Sequence, residues 1–180
     1  MKPIIHIVAS ALALAFLSAC STTSGRKPEI TYSKFDGSRT VSISPHGTYC
    51  AMTLPCLGIG AEWTSDNPQS ALLEVKVWGA YVGIEQARLN IDGSIVDLSP
   101  SQAITNFTNP TGMQRESDRY FRTTIDQVRR IAKARHVVIQ VGTLSTTLEN
   151  VIIDGTTDSK AYYAMQRFVA MVDKAPAAPK

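Results

Sequence analysis

Ala71-Leu72-Leu73-Glu74-Val75-Lys76-Val77-Trp78-Gly79 is the stretch that decides the fold class. Leu73, Val75 and Val77 fall on one side of an extended chain, and Glu74 and Lys76 on the other. That two-residue period belongs to a strand with one face on a core and one toward water. Gly83 to Ile91 repeats the pattern, with Ala87, Leu89 and Ile91 aligned. Asp92-Gly93 readily takes positive φ, so Ile95 to Leu98 is expected to return as the second arm of a hairpin. Thr40 to Ser44 alternates more weakly, and residues 99 to 120, rich in Ser, Thr, Asn, Pro and Gly, read as a long connection.

Beyond residue 122 the period changes. Thr123 and Thr124 are followed three residues on by Asp126 and Gln127, the pattern of a capping box. Ile125, Val128, Ile131 and Ala132 then make the apolar stripe of a helix lying on a sheet. Val137 to Val141 reads as a strand, Gly142 to Thr146 as a turn, and Leu148 to Ile153 as the returning strand, ended by Asp154-Gly155. A second helix is expected to begin near Asp158, with Ala161, Met165, Phe168 and Val172 on one face. The expected fold is a single α+β domain over residues 38–174: a two-layer sandwich of a mostly antiparallel sheet with two helices on one face.

The amino terminus has a different character. Lys2 is its only charge, Ile4 to Phe16 is apolar apart from His6 and Ser10, and Leu17-Ser18-Ala19-Cys20 follows. The run falls short of the ~20 apolar residues that span a bilayer. A basic start, an apolar middle and small residues at the end describe a secretory signal peptide. Leu17-Ser18-Ala19-Cys20 resembles the lipobox of bacterial lipoprotein precursors. Confined to the first twenty residues, that resemblance implies removal of residues 1–19, a diacylglycerol on the Cys20 thiol and anchoring in membrane lipid. Each buried methylene of an acyl chain contributes about 0.8 kcal/mol, so several chains on one residue hold durably. By the same resemblance, Ser21 after the cysteine implies transport to the outer membrane, facing the periplasm. Residues 20–37 then read as the lipidated cysteine and a flexible tether, and residues 175–180 as a disordered tail.

Loss of residues 1–19 removes Lys2 and leaves 17 basic against 15 acidic residues, a balance of +2. Such near-neutrality gives no case for nucleic acid. The remaining chain of about 160 residues is one domain's worth. With Cys20 assigned to lipid, Cys50 and Cys56 are expected to form a disulfide in an oxidising compartment. His46 and His136 stand at ligand spacing neither from the cysteines nor from each other, so no metal and no cofactor are expected.

The chain contains no Gly-x-Ser-x-Gly elbow, no His-Glu-x-x-His and no Gly-x-x-x-x-Gly-Lys. Gly58-Ile59-Gly60 reads as a bend or bulge entering a strand. His46, in Ser44-Pro45-His46-Gly47, would serve as a general base only if Asp or Ser side chains converge on it, and otherwise is an exposed turn residue. Residues 115 to 135 hold seven cations against three carboxylates. Arg122, Arg129, Arg130 and Lys133 are therefore a candidate anion- or partner-binding surface, although Asp126 is spaced to pair with Arg122, Arg129 and Arg130 on an ordinary solvated helix face. The loop Pro45 to Trp63, carrying His46, Tyr49 and Trp63 and pinned by the disulfide, is a candidate partner-binding loop. The same residues would also serve to close one end of the core, with Trp63 and Trp78 as core anchors. The functional expectation is a membrane-anchored lipoprotein acting as a non-catalytic binding or accessory module of the cell envelope, with an envelope protein as partner. The alternatives are an envelope hydrolase with a Ser/His/Asp-type site near His46, and a structural subunit of an envelope assembly.

Overall fold

The alternation around Leu73 becomes a central strand in a computed structural model that describes residues 25–50, 55–110, 112 and 114–174. Cys20, the signal segment and the carboxyl-terminal tail lie outside the described residues. The strands are β1 Glu29–Tyr32, β2 Arg39–Gly47, β3 Cys56–Thr64, β4 Ser70–Trp78, β5 Ile84–Ile91, β6 Ser94–Pro100, β7 Asn106–Thr108, β8 Glu116–Thr124, β9 His136–Thr143 and β10 Thr147–Asp154. The helices are α1 Ile125–Lys133 and α2 Lys160–Lys174. All the strand pairings are antiparallel, in the order β1-β2-β3-β4-β8-β6-β5-β9-β10, and β7 sits beside β8.

The sheet curls into a half-barrel. Its strand order nearly returns on itself, because the chain just past β2 meets β10 through a Tyr49–Val151 bridge. The Tyr49 N–H donates to the Val151 carbonyl at 2.8 Å, and the Asn150 side chain donates to the Tyr49 carbonyl at 3.0 Å. Cys50 and Cys56 are disulfide-bonded with their Cα atoms 5.7 Å apart, which ties this junction to the start of β3.

One apolar cluster fills the curl. Val41, Leu57, Ile59, Val75, Val77, Leu89 and Ile139 contribute from the strands, and Val128, Ile131, Met165 and Phe168 from the helices, all with no exposed surface. Helix α1 packs on β4, β8 and α2, and α2 on β2, β3 and β10. Thr124 caps α1 as its sequence predicts: its hydroxyl accepts from the Gln127 N–H at 3.2 Å, while Gln127 Oε1 accepts from the Thr124 N–H. At the β5–β6 turn, Asp92 and Gly93 take φ of 49° and 87°.

Three sequence expectations need correction. The tether expected over residues 20–37 contains strand β1, which pairs along the first half of β2 with all four of its side chains exposed. Its backbone pairs with β2 and none of its side chains is buried, so hydrophobic patterning carries little sign of it. Of the partner loop expected over Pro45 to Trp63, residues 51–54 lie outside the described residues, Pro45–Gly47 belongs to β2, and Cys56–Trp63 belongs to β3, which lies between β2 and β4. Leu57, Ile59, Ala61 and Trp63 alternate into the core there, and the glycines between them hide the period. The long connection expected over residues 99–120 holds β7 and most of β8. Strand β8 lies beside β4, yet its core-facing side reads Ser117, Arg119, Phe121 and Thr123. Polar side chains on that face are satisfied individually: Ser117 Oγ accepts from the Val82 N–H at 2.9 Å and donates to the Ala80 carbonyl at 3.2 Å. Arg119 spans the gap on β8 between β6 and β7, donating five hydrogen bonds to the carbonyls of Ile84, Glu85, Gln102 and Ala103.

Candidate functional site

Strand β2 carries a bulge that shapes the outer surface of the sheet. Ile43 pairs with Ala61 and His46 with Ile59, so Ser44-Pro45 adds one residue relative to β3. Proline lacks the N–H that a regular ladder would use and is tolerated at such a position. Facing it, Gly60 leaves no room for a side chain: a Cβ there would lie 2.6 Å from the Ile43 carbonyl oxygen and 2.9 Å from the Pro45 nitrogen. A Cβ on Gly58 would fall inside the Trp78 ring. Gly58-Ile59-Gly60 thus accommodates a bulge in the neighbouring strand and seats Trp78.

Above the bulge lies an open groove of about 320 Å³, lined by Ser42, Ser44, Pro45, Glu62, Glu74, Lys76 and Tyr120 among others. Its charges are arranged around one cation. The Lys76 ammonium lies 3.2 Å from Glu116 Oε2 and 3.7 Å from Glu74 Oε1, and the Tyr120 hydroxyl donates to Glu74 Oε2 at 3.2 Å. Burial raises the Glu74 carboxyl above its ordinary range, opposed by the Lys76 charge. Burial and then the Glu74 carboxylate raise the Tyr120 phenol, which therefore stays a proton donor at neutral pH. Glu62 lines this part of the groove beside the Glu74–Lys76 pair.

Past Ser44, Pro45 and Lys76 the groove adjoins a second, wider cavity of about 530 Å³ that reaches Gly25, Arg26, His46, Trp78, Pro110, Glu116 and Lys160. His46 is 6 % exposed, buried between β2 and α2 rather than displayed in a turn. Its Nε2 lies 3.3 Å from Arg167 Nη2, and its Nδ1 lies 2.7 Å from the Ser44 carbonyl. A guanidinium only donates, so Nε2 accepts and Nδ1 carries the proton given to Ser44. Burial lowers the His46 pKa, and the nearby Arg167 and Arg26 charges lower it further against the Ser44 carbonyl. Among the described residues, neither a hydroxyl nor a carboxylate hydrogen-bonds to the ring, and its lone pair is engaged by Arg167. A general base needs that lone pair free for substrate.

The other sequence candidates disperse. Tyr49 is 52 % exposed at the β2–β10 junction, whereas Trp63 is buried near the opposite end of β3, with its indole N–H on the Pro68 carbonyl at 3.0 Å and Arg39 over its ring. Arg122, on β8, donates to the Pro100 carbonyl at 2.8 Å. Arg129 bridges Asp126 and Asp173, each at 2.8 Å, joining α1 to α2. Arg130 and Lys133 are exposed on α1. The four cations of the expected basic surface thus divide between β8 and α1, with Arg122 and Arg129 engaged on groups of the fold itself. Sequence reading passed over Glu62, Glu74 and Tyr120. The available signal was that Glu74 and Lys76 share the polar side of the clearest strand.

No metal-binding cluster of three or more His, Cys, Asp and Glu occurs among the described residues, and no described helix is long and apolar enough to cross a membrane. No protein family, curated protein or solved structure shows significant similarity to the chain.

Proposed function

We propose that this protein is a bacterial envelope lipoprotein, acylated on Cys20 at the periplasmic face of the outer membrane, that acts as a non-catalytic binding module. Its two helices serve as the second layer over the curled sheet and leave the outer groove open to a partner. That partner is an envelope protein presenting a Lys- or Arg-bearing segment to Glu62, Glu74 and the Tyr120 hydroxyl. The groove over the β2 bulge carries this reading, because it is open, polar and preformed, with Glu62 lining it beside the Glu74–Lys76 pair. A preformed surface lowers the ordering cost of binding. The engagement of His46 by Arg167 favours binding over the hydrolase alternative.

The test is photocrosslinking in intact cells from a photoreactive residue at Ser42, in wild-type and Glu62→Gln/Glu74→Gln backgrounds. One dominant envelope adduct, lost in the double variant and kept when Arg129, Arg130 and Lys133 are reversed in charge, is the expected result. An adduct indifferent to Glu62 and Glu74, or none above background, overturns the groove assignment.

A further inference from the structure

The end of the sheet from which the chain leads back to Cys20 carries exposed apolar side chains interleaved with cations. Gly25 abuts His46, at the carboxyl-terminal end of β2. Five residue steps separate it from Cys20, a span of at most about 18 Å even when fully extended. At this end lie Tyr81, Phe107 and Leu144, at 48 %, 56 % and 80 % exposure. The Tyr81 and Phe107 rings meet edge to face at 6.0 Å, and Arg115 lies over Tyr81 at 5.8 Å. Leu144, in the β9–β10 turn, lies against Gly83, two residues beyond Tyr81. Arg26 and Lys160 line the wider cavity here, and the buried Arg167 Nε has no hydrogen-bond partner among the described residues. Aromatic rings mixed with cations suit the boundary between lipid headgroups and acyl chains.

We infer that this end is a membrane-docking face: Tyr81, Phe107 and Leu144 enter the headgroup boundary of the bilayer that holds the acyl chains, while Arg26, Arg115 and Lys160 meet lipid phosphates. The inference rests on acylation of Cys20 and deepens that reading by fixing which way the domain faces. It turns the β1–β2 hairpin, with Phe35 at 98 % exposure, away from the membrane. The eight residue steps of β2 separate the two ends by about 26 Å. Along the sheet's outer face, the acidic part of the groove then looks sideways into the periplasm.

The experiment uses the full lipidated chain in vesicles of phosphatidylethanolamine and phosphatidylglycerol, with bromines at the shallow end of the acyl chains to quench tryptophan. Phe107→Trp and Phe35→Trp each add one fluorophore at an exposed position, and the wild type supplies the background of Trp63 and Trp78. The expected result is that Phe107→Trp loses most of its added emission and Phe35→Trp loses none. Equal quenching of the two, or none for Phe107→Trp, overturns the docking face while leaving acylation intact. The same vesicle-bound protein gives the mass of its amino-terminal peptide. A peptide without acyl chains on Cys20 overturns the lipoprotein reading, and the docking face with it.

Discussion

Replacing Arg119 by Met removes the guanidinium that lies 6.0 Å from the Phe121 ring centre, and with it all five hydrogen bonds to the carbonyls of Ile84, Glu85, Gln102 and Ala103. A charged donor to a buried carbonyl is worth about 1.5–3 kcal/mol, and a neutral or solvent-screened bond nearer 0.5. Only the 2.6 Å bond to Ile84 is sheltered; the other four lie at exposed positions. One bond at about 1.5 kcal/mol and four at about 0.5 give a loss of about 3.5 kcal/mol. For a domain of this size, each kcal/mol lowers Tm by about 2–4 °C, so circular-dichroism melts are expected to fall by roughly 7–14 °C. Arg122→Met is the control, since Arg122 makes one such bond, to Pro100, and its Tm is expected to fall by only about 1–2 °C. Hydrogen exchange adds a local readout: the Ile84 N–H donates to Thr105 Oγ1, in the loop that Arg119 holds, and is expected to lose protection. Equal Tm shifts in the two variants, with Ile84 protection unchanged, would refute the role assigned to Arg119.

Three further outcomes follow from the same structure. Cys50→Ser/Cys56→Ser opens a short loop and is expected to cost about 2 kcal/mol, or roughly 4–8 °C in thermal melts, with the Asn150 and Val151 contacts to Tyr49 loosening first in hydrogen exchange. His46, with a folded pKa below its ordinary 6.5, is protonated first in the unfolded chain; its contribution is intact above that value and is lost as pH falls through it. The Tm of wild type should therefore drop more than that of His46→Gln between about pH 7.5 and 5.5. Because Glu74 protonates above the ordinary carboxylate range, crosslinking of a cationic partner from Ser42 should weaken on mild acidification, and Glu74→Gln should flatten that pH dependence.

Where hydrophobic period and burial coincide, the fold could be read from the chain alone. Leu73, Val75 and Val77 on β4, the α1 stripe with its Thr124 cap, and the Asp92-Gly93 hairpin all appear where their side chains dictate. Elements that bury little or bury polar groups escaped. Strand β1 contributes no side chain to the core, β3 hides its alternation behind Gly58 and Gly60, and β8 faces inward with Ser117 and Arg119, whose carbonyl partners are remote in sequence. The curl itself depends on long-range pairing, of Tyr49 with Val151 above all. The candidate site was less legible for the same reason. The Cys50–Cys56 disulfide was readable from cysteine count, but His46 finds Arg167 121 residues away, and Glu74 finds Tyr120 46 residues away.

Both the partner groove and the membrane-docking face depend on the anchor, so the most direct measurement is mass spectrometry of the amino-terminal peptide of protein taken from the membrane fraction. The lipoprotein reading predicts a mature chain beginning at an acylated Cys20, and a Cys20→Ala variant that leaves that fraction. A membrane-associated chain that begins elsewhere, or that retains a free thiol at Cys20, would contradict it.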